Sequence, residues 1–278
     1  MSKMKLPVQT IGLAALFLVL CSLTKLQARP VSSLLLGQYP ILNRSGQLNE
    51  PLIFAAPPLP DGIGEPTRRS EAGSRGCEDE SKQSAASEKK LLTALVPVYP
   101  DYQPSPDYPP AELVLGTTTA FYPTFWFYIP YQPPFTGEFV LQDKEGNLVY
   151  KTNVMLPETP GVISFSLPST EPPLKIGERY HWYFKIYCRS EPPPSFVDGW
   201  LQIVSLNPDL KSQIEKATLP EQVALYAING IWYEALTAAA ELRRTDPNDT
   251  NWTALLQAVG LDNFAKEPMV ECCKPVMR

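Results

Sequence analysis

Few residues in this chain are suited to chemistry. Among 278 residues there is one histidine, His181, and there are five cysteines. A histidine works as a general base only with a partner group inside hydrogen-bond reach. His181 lies in the segment Arg179 to Cys188. There Tyr180, Trp182, Phe184, Ile186 and Cys188 alternate with Arg179, His181, Tyr183, Lys185 and Tyr187. Strict alternation marks a half-buried strand and puts His181 on its outer face, where we expect no catalysis from it. Asp198 alternates with Phe196 and Trp200, so it either points inward or sits at a bulge beside Gly199. A hydrolase working with two carboxylates needs them roughly 5 to 9 Å apart, which spacing alone does not reveal. The chain has no Gly-x-Ser-x-Gly elbow, Walker loop, Cys-x-x-Cys or His-Glu-x-x-His motif. Gly62-Ile-Gly64 lacks the third glycine of a dinucleotide loop. With one histidine, a zinc site would rest mainly on cysteines. No catalytic, cofactor-binding or metal-ligating residue is assigned.

The N-terminus carries an address. Lys3 and Lys5 precede an apolar run from Ile11 to Leu23, and Leu26-Gln27-Ala28 follows. That order is the pattern of a secretory signal peptide, with cleavage expected after Ala28 and export to the periplasm or beyond. The run is shorter than the roughly 20 residues of a spanning helix, so no stable membrane span is expected after cleavage. An uncleaved anchor is the alternative. Losing Lys3, Lys5 and Lys25 takes the net charge from −5 to −8. Such a balance offers no basic field for nucleic acid.

Export also places the cysteines where disulfides persist. Cys21 leaves with the signal, and Cys77, Cys188, Cys272 and Cys273 remain as candidates. Adjacent cysteines bond only across a strained peptide, so the Cys272–Cys273 pairing is expected least. The charged tail, with Lys266, Glu267 and Glu271, shows little apolar reason to dock. A bond from Cys188 to one tail cysteine would supply a reason, leaving the other for Cys77.

These residues need elements to hold them. Hydrophobic residues make up 44% of the chain, enough for a core, and 31 prolines disfavour long helices. Residues 1–28 read as signal peptide and residues 29–90 as a Pro-rich extended or disordered arm. Within the arm, Pro57-Pro58-Leu59-Pro60 favours polyproline II, and the stretch from Thr67 to Lys90 is expected to stay solvated. Residues 91–205 show short apolar runs separated by turn signals and read as an antiparallel β-sandwich. Glu138–Asp143 and Asn147–Lys151 flank a hairpin turn at Lys144-Glu145-Gly146. Ala120–Ile129 is aromatic enough to need cover on both faces. Residues 206–278 switch to helical period and read as a small helical hairpin region with a cysteine-containing tail. Its start signals are Asn207-Pro208 and the capping box Thr218-Leu-Pro-Glu221, and its break is Asn229-Gly230. The fold class is thus mainly β with an α subdomain. Alternation places most Tyr and Trp in the core.

Two resemblances add to this reading. Tyr226, Gly230, Trp232, Ala235 and Pro247 match the spacing of a single tetratricopeptide repeat, although Leu219 and Val223 stand where its Trp and first Gly belong. The mature chain also resembles a cyanobacterial family of secreted proteins known only as a domain of unknown function, number 928. Phe54-Ala-Ala-Pro-Pro-Leu-Pro60, Gly73-Ser-Arg-Gly-Cys77, Leu92-Thr-Ala-Leu-Val-Pro97 and Tyr122-Pro-Thr-Phe-Trp-Phe-Tyr-Ile-Pro130 carry that resemblance. Tyr180-His-Trp-Tyr-Phe184, Gly199-Trp200, Gly230-Ile-Trp-Tyr-Glu-Ala-Leu236 and Glu271-Cys-Cys273 complete it. The resemblance implies an exported two-part protein and brings no catalytic residues. It implies company with filamentous-haemagglutinin-type secretion and repeat-rich signalling proteins. The Pro-rich stretch from Pro97 to Pro110 departs from the pattern and reads as a surface loop. Two functions follow. The first is a non-catalytic envelope adaptor that holds a protein partner, without cofactor. The alternative is an envelope hydrolase or carbohydrate-binding protein using a carboxylate pair or an aromatic platform. A convergent carboxylate pair would favour the hydrolase, and an unpaired sheet edge or apolar groove the adaptor.

Overall fold

The computed structural model describes residues 52–60, 62–71, 90–131, 135–187 and 194–273, all within one compact unit, Gln38–Arg278. The expected signal peptide, Cys21, Cys77 and Cys188 lie outside the described residues. Among the described residues nine strands precede four α-helices. Strands β1 (Thr93–Ala94), β4 (Thr124–Ile129) and β7 (Gly161–Ser166) form an antiparallel three-stranded sheet in the order β1-β4-β7. The larger sheet has the order β2-β3-β9-β8-β5-β6. Its strands are β2 (Val98–Tyr102), β3 (Ala111–Thr118), β5 (Thr136–Asp143), β6 (Leu148–Met155), β8 (Arg179–Tyr187) and β9 (Ser195–Ile203).

The expected all-antiparallel sandwich needs one correction, because β3 and β9 pair in parallel. A hairpin imposes antiparallel pairing only on strands it joins directly. Between β3 and β9 the chain visits the other sheet, so no turn fixes their relative direction. The hairpin reading holds: Gly146, with φ 85°, closes the β5–β6 turn, and Asp143 accepts from the Glu145 and Asn147 backbone N–H groups at 3.0 and 2.8 Å.

Strand β4 is covered on both faces, as its aromatic run requires. Phe125 and Phe127 face the large sheet, where Phe127 stacks on Phe184 at 4.3 Å and Phe125 meets Phe139 at 4.7 Å. Trp126 and Tyr128 face the helices and meet Trp252 and Phe264. The small sheet is therefore the middle of three layers, between the large sheet and the helices α3 (Trp232–Thr245) and α4 (Asn251–Gln257), with α2 (Leu219–Ile228) packed on α3 and α1 (Pro208–Lys216) on α2. The helix starts fall where the capping residues put them. Asn207 Oδ1 accepts from the Leu210 N–H at 2.7 Å, and the Glu221 carboxylate accepts from the Thr218 N–H at 2.7 Å. Alternation in β8 also holds: Tyr180, Trp182, Phe184 and Ile186 are buried.

Gly199 makes no bulge, because β8 and β9 stay in continuous register across it. Its role is close packing instead: a Cβ there would lie 2.4 Å from the Trp182 ring and 2.8 Å from Val114. The Pro97–Pro110 stretch is only partly a surface loop. Its first half is β2, held by pairing with β3, and the loop over 103–110 follows.

The tail finds its own reason to dock. Val162 donates its N–H to Pro268 O at 2.7 Å, and Val270 donates to Val162 O at 2.9 Å, so the tail pairs along the β7 edge. Met269 and Val270 pack against the core, and Arg243 donates to the Ala265 and Glu267 carbonyls. The sulfurs of Cys272 and Cys273 are joined to each other, the pairing that adjacency made least expected.

Candidate functional site

The outer face of the large sheet collects the polar residues that alternation set apart. In the antiparallel β8–β9 pair, His181 lies opposite Trp200 and Tyr183 opposite Asp198. His181 Nε2 sits 2.9 Å from Asp198 Oδ2, and Tyr183 Oη sits 3.0 Å from His181 Nδ1. Trp200 stacks on the imidazole at 4.4 Å. Asp198 thus points outward rather than into the core. Its Oδ1 accepts from the Arg68 N–H at 3.2 Å, while its own N–H donates to Arg68 O at 3.1 Å. The Arg68 guanidinium lies over the Phe196 ring.

Arg68 belongs to the N-terminal arm, whose described residues 67–71 are bound to the strands. Thr67 and Glu71 are buried, contrary to the solvated reading of their segment. The Thr67 N–H donates to Glu112 O, and Glu71 Oε1 accepts from the Leu92 N–H at 3.1 Å and from the Tyr131 hydroxyl. A buried polar group is tolerable only with such partners. Composition could not supply this, because the partners sit on strands far along the chain.

The order Tyr–His–Asp formally matches nucleophile, base and orienting acid. The environment opposes that use. Burial first, and then the charges of Asp198 and Glu65, push the Tyr183 phenol upward, which keeps it protonated and a poor nucleophile. The Trp200 ring that covers the imidazole is itself buried. The chain of bonds from Tyr183 through His181 and Asp198 to Arg68 fastens the arm to the sheet.

A second cluster lies on the same face. Glu138 is buried and accepts from Lys185 at 3.3 Å and from the Tyr187 hydroxyl at 3.2 Å, and it pairs with Lys151 at 2.7 Å. Burial works to raise its carboxyl, but hydrogen bonds and charge from Lys151 and Lys185 outweigh it and hold the group below its ordinary 4.5. A carboxyl lowered on folding contributes stability above its unfolded pKa, and that contribution is lost as pH falls through the folded value. Wild-type thermal midpoint is therefore expected to drop more than that of Glu138→Gln between about pH 6 and about pH 3.5. Parallel melting curves of the two proteins check this. Glu138 could have been found from its period in β5, but its two lysine partners come from β6 and β8, which only pairing reveals.

A cleft among the described residues bears on the carboxylate-pair reading. A cleft of about 330 Å³ opens beside the β5–β6 hairpin and is lined by Asp143, Glu145 and Glu178 along with Lys144, Lys175 and Arg179. Lys144 pairs with Glu145 at 3.8 Å and with Glu178 at 3.4 Å. Asp143 is held below its ordinary value, first by the Asn147 side chain and then by turn N–H groups. A general acid must keep its proton near neutral pH, which Asp143 does not do. Neither His181 nor Asp198 lines this cleft.

Among the described residues no group of three or more His, Cys, Asp or Glu could hold a metal ion. No described helix is long and apolar enough to cross a membrane. No curated protein and no solved structure matches the chain. The model of one family, described as Domain of Unknown Function (DUF928), matches residues 70–269. That span takes in both sheets, all four helices and the His181–Asp198 pair, and by it the chain belongs to this family.

Proposed function

We propose that the protein is an exported, non-catalytic envelope adaptor that holds a protein partner along the β6 edge of its large sheet. The observation that carries this reading is β6. It is eight residues long and ends the sheet, and no described strand pairs with its outer side. Leu148 and Met155 are largely exposed along it, at 61% and 57%. An end strand of this length offers backbone donors and acceptors to an extended segment of a partner. Placing charges on such an edge opposes strand addition. The double variant Leu148→Lys, Met155→Lys is expected to keep its fold and lose its partner. Capture from the periplasm of the native host with wild type and variant side by side tests this, and equal recovery of the same partner by both would defeat the β6 assignment.

Export rests on the order of charged, apolar and small residues before Arg29. N-terminal sequencing of the secreted protein is expected to begin at Arg29, and a mature chain beginning at Met1 overturns it. We read the α2–α3 hairpin as a lone tetratricopeptide-like unit packed on the sandwich, and the source as cyanobacterial.

A further inference from the structure

A proline-rich strand already lies in a groove of this molecule. Prolines 57, 58 and 60 fix φ, and the residues before prolines are pushed to extended ψ, so residues 56–60 are set toward polyproline II. That helix repeats every three residues. Phe54, Pro57 and Pro60 are half-buried at that spacing, while Ala55, Ala56 and Pro58 are exposed. One face of the strand is therefore down and the other is open to solvent.

The groove has aromatic walls and hydroxyl donors. Phe54 packs edge-on against Trp232 at 5.0 Å. Gly230 sits at the α2–α3 turn with φ 71°, and a Cβ there would lie 2.7 Å from Ala55 O and 3.0 Å from Pro57. The Ala55 N–H donates to Ala227 O at 3.0 Å, and the Tyr99 hydroxyl donates to Pro57 O at 2.5 Å. Burial pushes the Tyr99 phenol up to about 12, so it remains a donor. Leu59 continues onto a second apolar patch made by Ile63, Leu113, Leu115 and Trp200. Aromatic walls with hydroxyls reaching the carbonyls are how folded domains recognise polyproline II ligands.

The arm is held unevenly. Residues 67–71 are pinned by a series of backbone bonds, including Thr67 to Glu112, Asp198 to Arg68, Ala94 to Arg69 and Glu71 to Leu92. Residues 54–60 carry three prolines without N–H groups, and among the described residues their bonds are the Ala55 N–H to Ala227 O and the Tyr99 hydroxyl to Pro57 O. Between the two parts lies Gly62, with φ 58° and open space where a Cβ would be.

We propose that this groove is a receptor for an uncharged proline-rich strand, that residues 54–60 are its tethered resident, and that a proline-rich segment of a partner protein exchanges with them. The partner segment would carry an apolar residue three positions before its first proline and no charge across the following turn. This site is separate from the β6 edge, so either can fail alone.

The probe is a synthetic peptide of residues 52–60, titrated into the full chain with tryptophan fluorescence as readout. A tethered resident competes at an effective concentration on the order of millimolar. The variant Phe54→Ser, Leu59→Ser loosens the resident and leaves the groove intact. It is expected to bind the peptide at least tenfold more tightly than wild type does. A peptide with its three prolines changed to alanine is expected to bind at least tenfold more weakly. Equal binding by wild type and variant, or equal binding of the two peptides, overturns the proposal. If the variant does not fold, wild type alone decides. Excess peptide is then expected to speed hydrogen exchange in residues 52–60 while β8 and β9 stay protected, and no change there overturns the proposal. A concentration-dependent dimer of wild type that the variant abolishes would assign the groove to the arm of a second copy and overturn the heterologous partner.

Discussion

Trp126→Ala is expected to lower stability by about 3 to 5 kcal/mol, the range for truncating a buried tryptophan. For a structured region of this size that is a fall of roughly 6 to 20 °C in thermal midpoint. The ring is 1% exposed and lies between two layers. It meets Trp252 at 5.8 Å, and its Nε1 donates to Thr237 Oγ1 at 3.2 Å. The Arg244 guanidinium lies over its face. Removing it opens a cavity between the small sheet and the helices that neither rigid layer can close. Tyr108 is 59% exposed in the 103–110 loop, and Tyr108→Ala is expected to change stability by no more than about 0.5 kcal/mol. Calorimetry on both variants tests the three-layer arrangement. A loss at Trp126 as small as that at Tyr108 would mean that the helices do not cover β4.

Asp198→Ala is expected to cost roughly 2 to 3 kcal/mol and to loosen the arm. The Asp198 side chain is 9% exposed. Its loss strips the Arg68 N–H of its acceptor and the His181 Nε2 of its partner, leaving two partly buried polar atoms without compensation. Limited proteolysis is expected to cut within residues 62–71 sooner than in wild type. Asp198→Asn keeps one acceptor oxygen and is expected to cost less. His181→Gln retains a polar side chain and is expected to leave partner binding intact. If His181→Gln abolished a measured activity by orders of magnitude while melting like wild type, the Tyr–His–Asp chain would have to be read as catalytic. Unchanged proteolysis in Asp198→Ala would show instead that other bonds hold the arm.

Local pattern made much of this legible from the sequence. Period-2 alternation put Trp182 and Phe184 inside and His181 outside, because successive side chains on a strand must take opposite faces. The all-aromatic run of β4 required two covered faces and received them. Asn207, Thr218 and Gly230 marked helix ends because capping is chemistry between near neighbours. What sequence left open was every relation between distant segments. For Asp198 alternation left an inward direction or a bulge, and its outward place opposite Tyr183 in the continuous β8–β9 register overturns both. Glu138 drew no notice until β6 and β8 brought Lys151 and Lys185 to it.

The arm and the tail show the same limit from the other side. Neither the Thr67–Lys90 stretch of the arm nor the tail has an internal hydrophobic period, so composition leaves the first solvated and the second without an apolar reason to dock. Each is ordered instead by an edge or groove that other segments create: the tail by β7, and the arm by Trp232, Tyr99 and the β9 face. The sequence by itself determined the alternation of β8, the two covered faces of β4, the β5–β6 hairpin and the helix starts, since those follow from backbone geometry within a few residues. The tertiary structure alone decided the parallel pairing of β3 with β9, the meeting of His181 with Asp198 and the docking of the arm. Those depend on contacts between segments far apart in the chain, whose free energies no local window contains.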